Sequence, residues 1–376
     1  MKIFVITGEA SGDLLASKII TELRKTNKKL NLKGVGGAKL KQHKITNIFA
    51  QEKINIMGFV EVVPAIPRIL KLINKTVLEI QKYKPDFIIT VDAPDFNFRV
   101  VRKLRNLGYD HSKIIHVVAP TVWAYREYRA ARIAKLYDQL LVLFPFEPPY
   151  FEKYGLNTKF IGHPIIFDKV PLPKEDYIKK HKIEGRQILV LTLGSRKKEI
   201  KILAPIYKEV IEQLAIKGIK PIIVIPSFKK YLPLIQKSFK KAIITTSEKE
   251  KLYFFDKATA VIAKSGTNTF EIAKAHAPFV VCYKVNQLTY MMLKRIVKTK
   301  FVNLINILAK REIVSEFIQE ACEPTNITAK ISELLSDDKL RQDQINKQDK
   351  YLSQFLNKNQ DPSKLAAKEI LKLLKN

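Results

Sequence analysis

Short apolar runs alternate with helical segments along most of this chain, and this alternation limits the available folds more than any other feature does. A strand buried on both faces of a parallel sheet reads as a continuous apolar run, and a helix then crosses back to the next strand. The pattern predicts strands at Lys2–Thr7, Leu32–Val35, Phe87–Val91, Ile114–Val118, Gln139–Phe144 and Lys159–Ile161. It predicts helices at Leu14–Lys25, Arg68–Tyr83, Phe98–Leu107, Tyr128–Ala134 and Pro149–Tyr154. Such βαβ units form a mostly parallel sheet.

The alternation lapses between Phe167 and Arg186, where prolines and charges indicate a linker, and then resumes. The length of 376 residues also suggests two domains. We therefore predict an α/β fold with two Rossmann-like, doubly wound domains facing a cleft, at 1–170 and 186–325, followed by C-terminal helices at 326–376. The second domain has a predicted helix at Pro205–Lys217 and strands at Gln187–Leu193, Pro221–Pro226, Ala242–Thr245, Ala260–Ala263 and Phe279–Tyr283.

The composition narrows the classes of partner. Lys and Arg number 67 against 36 Asp and Glu, which gives a formal net charge of +31. The excess points to nucleic acid, an acidic membrane surface or phosphorylated substrates, although a solvated basic surface would look the same. Cys282, Cys322, His116 and His163 have no partners at metal-binding spacing, so we expect no metal site, no disulfide framework and a reducing cytoplasm. No apolar run is long enough for a signal peptide or a membrane span.

A small-residue loop, GEASGD, follows the first predicted strand at Gly8–Asp13. Gly8 and Gly12 let the backbone approach a ligand, and the N-terminus of the next helix offers N–H groups and partial positive charge. The loop therefore suits an anionic or polyhydroxylated ligand. An ordinary strand-to-helix turn explains the same residues, and this segment alone favours that simpler interpretation.

Two loops of the predicted second domain have the same character. Gly194–Arg196 follows a strand, and the planar guanidinium of Arg196 could clamp a pyrophosphate. Ser265–Thr267 precedes a helix on which Glu271 could bind ribose hydroxyls. The simpler explanations are a helix N-cap beside a surface arginine and a capping carboxylate at Glu271. Two such loops in one domain are more specific than either alone.

Two carboxylates follow the predicted strand Phe87–Val91 in the stretch VDAPDFN. Pro94 forces a break there, so both Asp92 and Asp95 should lie at the carboxyl edge of the sheet. A carboxylate in that place could act as general base toward a sugar hydroxyl. Asp95 also fits a helix N-cap, so we assign the chemistry to Asp92.

The helix predicted over Arg68–Ile80 has more apolar positions than one buried face requires. Lysines surround these positions, and a helix of this kind can lie on an anionic membrane. A crossover helix that packs on its own sheet is the usual explanation of the same pattern. In the membrane interpretation, the lipid-facing residues are Ile66, Ile69, Leu70 and Ile73.

Taken together and in order, these motifs resemble those of the lipid-A-disaccharide synthase family, bacterial glycosyltransferases of the two-domain GT-B fold. No single motif is decisive, but the ordered set is specific and covers nearly the whole chain. Leu193 and Ile305 depart from the family pattern, which has proline there, and both are changes in local turn chemistry. The matching stretches are GEASGD (Gly8–Asp13), MGFVEV (Met57–Val62), VDAPDFN (Val91–Asn97), VAPTVWAYR (Val118–Arg126), LFPFE (Leu143–Glu147), FIGHP (Phe160–Pro164), LGSR (Leu193–Arg196), SGT (Ser265–Thr267) and Val297–Pro324.

The resemblance implies a reaction and the residues that perform it. A 2,3-diacylglucosamine unit passes from UDP to the 6-hydroxyl of 2,3-diacylglucosamine 1-phosphate by one inverting displacement, without a metal or other cofactor. Asp92 matches the proposed base, and Arg196 matches the essential arginine that stabilises the leaving UDP. The implied substrate-binding residues are Gly8, Ser11, Gly12, Ser195, Ser265, Gly266, Thr267, Glu271, Asn306 and Glu316.

The resemblance also implies partners and a location. The family is cytoplasmic and peripherally associated with the inner membrane, which supports the interfacial interpretation of the helix near 66–80. An apolar stripe on the last predicted helix, including Ala366, Ala367 and Ile370, could pack on the N-terminal domain or be exchanged in a homodimer. A nucleic-acid-binding protein is the competing class, but the basic residues are spread rather than clustered and no recognition motif accompanies them. A soluble UDP-GlcNAc-dependent transferase or epimerase of the same fold is the alternative enzyme.

Overall fold

The computed structural model describes residues 1–54, 59–168, 173, 175–287, 290–291 and 299–374, without the side chains of residues 59–65. Parts of three predicted segments lie outside these residues. They are Met57 and Gly58 of the MGFVEV motif, residues 169–172 and 174 of the predicted linker, and Val297 and Lys298 at the start of the last matching stretch. The chain forms two compact units. Unit 1 comprises Met1–Phe167 and Phe355–Asn376, and unit 2 comprises Asp168–Gln354.

Unit 1 is built on a parallel sheet. Its described strands are β1 (Lys2–Thr7), β2 (Asn31–Val35), β3 (Thr46–Asn47), β4 (Phe87–Val91), β5 (Lys113–Val117), β6 (Gln139–Val142) and β7 (Asn157–Phe160), in the order β3-β2-β1-β4-β5-β6-β7. The central strands are apolar and buried on both faces, as a sheet covered by helices requires. The register pairs Thr7 with Val91. The loops that follow β1 and β4 are therefore neighbours at one edge of the sheet.

Helices cover both faces of this sheet. They are α1 (Ala10–Thr26), α2 (Ala38–Lys41), α3 (Phe59–Tyr83), α4 (Pro94–Asn106), α5 (Arg129–Ala134), α6 (Pro148–Glu152) and α7 (Pro164–Phe167). On one face, apolar residues of α3 to α6 pack with Phe4 and Ile88. On the other, α1 packs through Leu15, Ile19 and Leu23. Burial of these apolar stripes is the main stabilising contribution to such a layered unit.

Unit 2 repeats the plan. Its described strands are β8 (Ile188–Thr192), β9 (Ile222–Pro226), β10 (Ile243–Thr245), β11 (Ala260–Lys264), β12 (Phe279–Tyr283) and β13 (Glu316–Ile318), all parallel, in the order β10-β9-β8-β11-β12-β13. Its helices are α8 (Tyr177–His181), α9 (Lys197–Ile216), α10 (Leu232–Ser238), α11 (Glu248–Asp256), α12 (Asn268–Lys274), α13 (Leu304–Ala309), α14 (Pro324–Ser336) and α15 (Asp338–Leu352). Tyr207 and Ile331 bury α9 and α14 against the sheet.

The last helix, α16 (Pro362–Lys372), belongs to unit 1. Asp361 caps it by accepting hydrogen bonds from the Ser363 and Lys364 N–H groups. Its apolar stripe, Ala366, Ala367 and Ile370, is buried in the core that α1 also covers. This stripe is therefore covered by the chain's own unit 1.

Several element boundaries differ from the sequence prediction. Strands β1, β4 and β12 coincide with it, because each is a short, mostly apolar run. Helix α1 begins at Ala10 rather than Leu14, so Ser11 and Gly12 lie in its first turn and not in a loop. Helix α3 begins at Phe59 rather than Arg68. Among the helices that the structure describes, none has the length and apolar character needed to cross a membrane.

Candidate active site

The loop after β4 holds Asp92 in a constrained backbone conformation. Asp92 and Ala93 have φ values of 53° and 45°, in the left-handed region that residues other than glycine rarely occupy. The Asp92 N–H donates to the Val117 carbonyl at 3.0 Å, and the Asn97 side chain donates to the Asp92 carbonyl at 2.6 Å. Pro94 then begins α4. These contacts hold the loop at the carboxyl edge of the sheet, where the sequence predicted it.

Asp92 is half-buried. Burial raises its pKa, because water no longer solvates the charged form. The Ala93 N–H donates to Asp92 Oδ1 at 2.8 Å and partly offsets this effect. A carboxylate with a raised pKa is a better general base near neutral pH than an ordinary one.

Asp95 does not cap α4, which corrects the sequence prediction. The N-cap residue is Ala93, and Asp95 lies in the first turn of the helix. Its side chain is 89% exposed and lies 3.4 Å from an Arg129 guanidinium nitrogen. The two aspartates of VDAPDFN therefore differ sharply in environment, and Asp92 alone is held in a low-dielectric position.

Gly8 and Gly12 face the Asp92 loop rather than open space. A Cβ added at Gly8 would lie 2.3 Å from the Ala93 Cβ, and one at Gly12 would lie 3.4 Å from the Val91 carbonyl oxygen. Gly8 thus permits the close approach of the neighbouring loop, whereas a Cβ at Gly12 would meet only ordinary contact distances. The ligand contacts expected of both glycines stay predictions. Ser11, exposed in the first turn of α1, remains at the surface.

A buried acid that the sequence prediction missed lies at the same edge of unit 1. Glu147, the last residue of LFPFE, accepts hydrogen bonds from the Trp123 indole N–H at 3.3 Å and the Phe144 N–H at 3.0 Å. Burial raises the pKa of Glu147 to about 8. The His163 ring stacks on Phe144 with centroids 5.7 Å apart, and burial lowers the His163 pKa to about 4.

His116 is an interior group, as the sequence indicated. It lies fully buried in β5 with its Nδ1 2.7 Å from the Thr90 hydroxyl. Burial lowers its pKa to about 3, so it stays neutral at physiological pH.

In unit 2, the loop after β8 carries Arg196 and is closed by a carboxylate from the following helix. Arg196 is the N-cap residue of α9, and its side chain is 64% exposed. Glu199 Oε2 accepts the Ser195 N–H at 2.9 Å and the Arg196 N–H at 3.2 Å. The backbone N–H groups of this loop are therefore used within the protein, and Ser195 does not cap the helix.

The loop after β11 lies beside it. Gly266 and Thr267 are exposed and Ser265 is half-buried. The Thr192 hydroxyl at the end of β8 accepts the Lys264 N–H at 3.0 Å and the Asn268 side-chain N–H at 2.9 Å. The two loops that the sequence predicted as anion sites are thus linked at one edge of the unit 2 sheet.

Glu271 has a partner of its own. Its Oε2 lies 2.9 Å from Lys251 Nζ, so it forms an ion pair rather than capping α12 through a backbone N–H. A ribose hydroxyl would have to share this carboxylate with the ammonium group.

Asn306 and Glu316 contact each other, with Asn306 Nδ2 2.8 Å from Glu316 Oε1. The Asn306 amide is fully buried and also bonds Val314 and Ile313, so both of its N–H donors and its oxygen are occupied. Direct substrate binding by Asn306 is therefore wrong for this structure, and its amide positions Glu316. Glu316 also accepts the Val302 and Asn303 N–H groups, and burial raises its pKa.

Helix α3 divides the four residues predicted to face a membrane. Ile66 and Leu70 are 42% and 47% exposed, whereas Ile73 is 3% exposed. Ile69 is partly buried against the core of unit 1. The prediction is therefore wrong for Ile73, because the stripe it shares with Val77 and Ile80 packs on the sheet. In the described part of the chain, no group of three His, Cys, Asp or Glu side chains could hold a metal ion.

The glutamates Glu147 and Glu199 were not singled out from the sequence. Glu199 stands in the third position of α9, where an acid commonly accepts the N-cap N–H, and this spacing was a usable signal. The burial of Glu147 could not be read locally, because the Phe144 contact lies in its own loop but Trp123 comes from a separate loop.

The protein has two parallel sheets with alternating helices, and each sheet has polar loops at its carboxyl edge. This architecture is the GT-B fold, which glycosyltransferases and epimerases share. The UDP-GlcNAc 2-epimerase of Neisseria meningitidis, solved bound to UDP-GlcNAc, has a TM-score of 0.61 at 15% identity over 100% of both chains. A glycosyltransferase of Rickettsia africae has a TM-score of 0.56 at 15% identity, over 99% of this chain and 98% of that one. At these identities the likeness shows the fold alone.

The family follows from the sequence. The model of a family described as "Lipid-A-disaccharide synthetase" matches residues 3–371. The lipid-A-disaccharide synthase of Rickettsia bellii is 42% identical over 385 aligned positions, which cover 98% of each chain. This chain belongs to the lipid-A-disaccharide synthase family, and it is a glycosyltransferase of lipid A synthesis. The predicted family and the predicted two-domain α/β fold are confirmed.

Proposed function

We propose that this protein condenses UDP-2,3-diacylglucosamine with 2,3-diacylglucosamine 1-phosphate. The family match over residues 3–371 carries the proposal. The acceptor 6-oxygen bonds to the anomeric carbon of the donor as the bond from that carbon to the diphosphate breaks. The α linkage becomes β, and the products are the β-1,6-linked disaccharide 1-phosphate and UDP. The step needs a base for the acceptor proton and positive charge for the departing diphosphate.

Asp92 is the base in this proposal. Its raised pKa favours proton transfer near neutral pH, and the strained loop fixes its direction. The Ala93 N–H holds Oδ1, so we assign the acceptor proton to Oδ2. Gly8, Ser11 and Gly12 support the acceptor side, and Gly8 does so by allowing the loop its close packing.

Arg196 stabilises the leaving UDP. Its guanidinium is exposed at the carboxyl edge of the unit 2 sheet, and its planar fork suits two phosphate oxygens at once. Ser195, Ser265, Gly266 and Thr267 supply polar groups for the nucleotide beside it. Glu271 binds the ribose hydroxyls. Glu316, which is held by Asn306, completes the nucleotide pocket.

An anionic membrane surface is the proposed docking partner, and the cytoplasmic side of the inner membrane is the proposed location. Both substrates carry acyl chains, so a docked enzyme need not extract them fully into water. Ile66 and Leu70 supply exposed apolar surface on α3, and each nearby lysine adds about 1 kcal/mol at an anionic surface.

Replacing Ile66 and Leu70 by Ser tests this docking. We expect weaker sedimentation with vesicles that contain anionic phospholipid, with unchanged thermal unfolding. Ile216, 86% exposed on α9, provides a matched control, and its replacement by Ser should leave vesicle binding intact. Equal binding by all three proteins would disprove a docking role for α3.

A homodimer with exchanged C-terminal helices is the proposed assembly. The apolar stripe of α16 fits the surface of unit 1 formed by α1, and a second copy could supply the same stripe. Light scattering after size-exclusion chromatography measures the mass directly. A monomer over the whole accessible concentration range would rule the exchange out.

A soluble UDP-GlcNAc-dependent transferase or epimerase is the alternative, since a UDP-GlcNAc 2-epimerase shares the fold. Incubation with both lipid substrates in detergent, followed by mass spectrometry, separates these functions. We expect the disaccharide phosphate and UDP in equal amounts. Turnover of UDP-GlcNAc without any disaccharide from the acylated pair would favour the alternative.

A further inference from the structure

We propose that Glu199 and Lys264 are positioning residues for the transfer, which join the Arg196 loop to the Ser265 loop. This rests on the proposed function, because it assigns the UDP diphosphate to these loops. The pair fixes Arg196 and, through charge neutralisation, keeps a carboxylate beside the diphosphate site from repelling it.

One end of the pair organises the Arg196 loop. Glu199 Oε2 accepts the Ser195 and Arg196 N–H groups at 2.9 and 3.2 Å. Gly194, with a φ of +96°, makes room for this carboxylate, since a Cβ there would lie 2.3 Å from Glu199 Oε2. The Tyr231 hydroxyl adds a bond to the Ser195 carbonyl at 3.3 Å. The loop geometry therefore follows the position of one carboxylate.

The other end of the pair reaches the neighbouring loop. Glu199 Oε1 lies 3.0 Å from Lys264 Nζ, and the two side chains are 16% and 18% exposed. Lys264 is the last residue of β11 and immediately precedes Ser265. A movement of Lys264 therefore moves the Ser265 loop as well. A displacement of Glu199 is therefore transmitted to both loops.

Charge explains why the pair has this composition. The Glu199 carboxylate holds two backbone N–H groups. It also lies beside Arg196, the residue proposed to bind the diphosphate, and its negative charge would repel that ligand. Arg196 is 3.9 Å from Glu199 Oε1, too far for a strong bond, while Lys264 is 3.0 Å away. Lys264 is thus the nearer cation to the carboxylate and offsets its charge.

Three variants separate this role from direct phosphate binding by Lys264. Glu199→Ala should lower kcat by about 100-fold, the cost of displacing an aligned group by about an ångström. Lys264→Met should weaken UDP binding by about tenfold, because it leaves Glu199 uncompensated. The double variant Glu199→Gln with Lys264→Met removes both charges but keeps an oxygen for the backbone. It should bind UDP more tightly than Lys264→Met alone.

The measurements are UDP affinity by titration calorimetry and the separate kcat and donor KM. Lys208 and Glu212 form an exposed pair at 3.7 Å on the same helix and serve as the control, as Lys208→Met and Glu212→Gln. A purely structural role would lower thermal stability without changing these constants in the folded protein. A double variant no better than Lys264→Met would overturn the proposal and assign Lys264 to the diphosphate.

UDP affinity keeps this test independent of the reaction. If the wild-type protein forms no disaccharide, the proposed function fails, while recovery of UDP affinity in the double variant still supports the pair. If the wild type is active and Glu199→Ala retains full kcat, the positioning role fails and the reaction stands.

Discussion

At the end of β4 in unit 1, Asp92 is held by backbone geometry and burial. At the end of β8 in unit 2, the backbone of the Arg196 loop is held by the Glu199 carboxylate, which is paired with Lys264. The Asp92 loop uses two left-handed residues and the close approach of Gly8. The Arg196 loop uses Glu199 and Lys264. Burial raises the pKa of Asp92. The Glu199–Lys264 ion pair instead holds a loop that presents the exposed Arg196 side chain. The difference fits a base in one unit and an anion-binding group in the other.

Asp92→Asn changes the carboxyl group of the unit 1 loop, and we expect it to have the largest effect on activity. Activity should fall by about 100- to 10,000-fold, because the amide cannot accept the proton. UDP affinity should stay unchanged, and stability at neutral pH should not fall, since a buried ionised carboxylate is costly. Steady-state kinetics measure the activity, and titration and scanning calorimetry measure the UDP affinity and the stability. Asp95→Asn, in the exposed first turn of the next helix, is the matched control and should keep near-normal turnover.

Arg196→Ala tests the ion-pair side. Loss of one group that stabilises the developing charge should cost about 100- to 1,000-fold in kcat. Arg196→Lys should recover only part, because an ammonium lacks the planar fork. Full recovery by Lys would show that net charge suffices and that the alignment by Glu199 has no catalytic value.

The glycines of GEASGD test whether close packing holds the Asp92 loop. Gly8→Ala should destabilise the protein by about 1–3 kcal/mol through overpacking against Ala93, and should lower activity. Gly12→Ala should be within about 1 kcal/mol of wild type, since its added Cβ meets only ordinary contacts. Chemical denaturation followed by circular dichroism gives both values. Equal effects of the two changes would contradict the packing argument.

Glu147→Gln tests whether burial of Glu147 makes the free energy of unfolding depend on pH. The raised pKa of about 8 means that the folded state binds a proton that the unfolded state has lost. Its contribution to stability is full below the ordinary carboxyl pKa and is lost as pH rises through about 8. The slope is at most about 1.4 kcal/mol per pH unit. Denaturation between pH 5 and 8 should show a decline for wild type that Glu147→Gln flattens; parallel curves would refute the assignment.

Local patterns predicted most of the elements and the place of several candidate site residues in the fold. Strands β1 and β4 are continuous apolar runs, so their limits and the place of Asp92 after β4 could be read directly. Arg196 and Ser265 were found because loops after parallel strands meet at one sheet edge. Glu199 could have been found too, since its spacing from the helix start is a local signal.

Other residues changed roles because their partners are distant in sequence. Asn306 was predicted in the nucleotide pocket, but its amide is saturated by Val314, Ile313 and Glu316. Ile73 was predicted at a membrane surface, but it is a core residue. A helix pattern shows that a face is apolar, not which part of that face the sheet covers.

The sequence by itself determined the two-domain α/β fold, the family and the positions of Asp92 and Arg196, because strand periodicity and ordered motifs are local properties of the chain. Only the tertiary structure decided that Gly8 serves the Asp92 loop, that Glu199 and Lys264 join two loops, and that Glu147 is buried. These depend on distances between residues far apart in the chain. Burial, which sets pKa and packing, exists only once the sheets are covered.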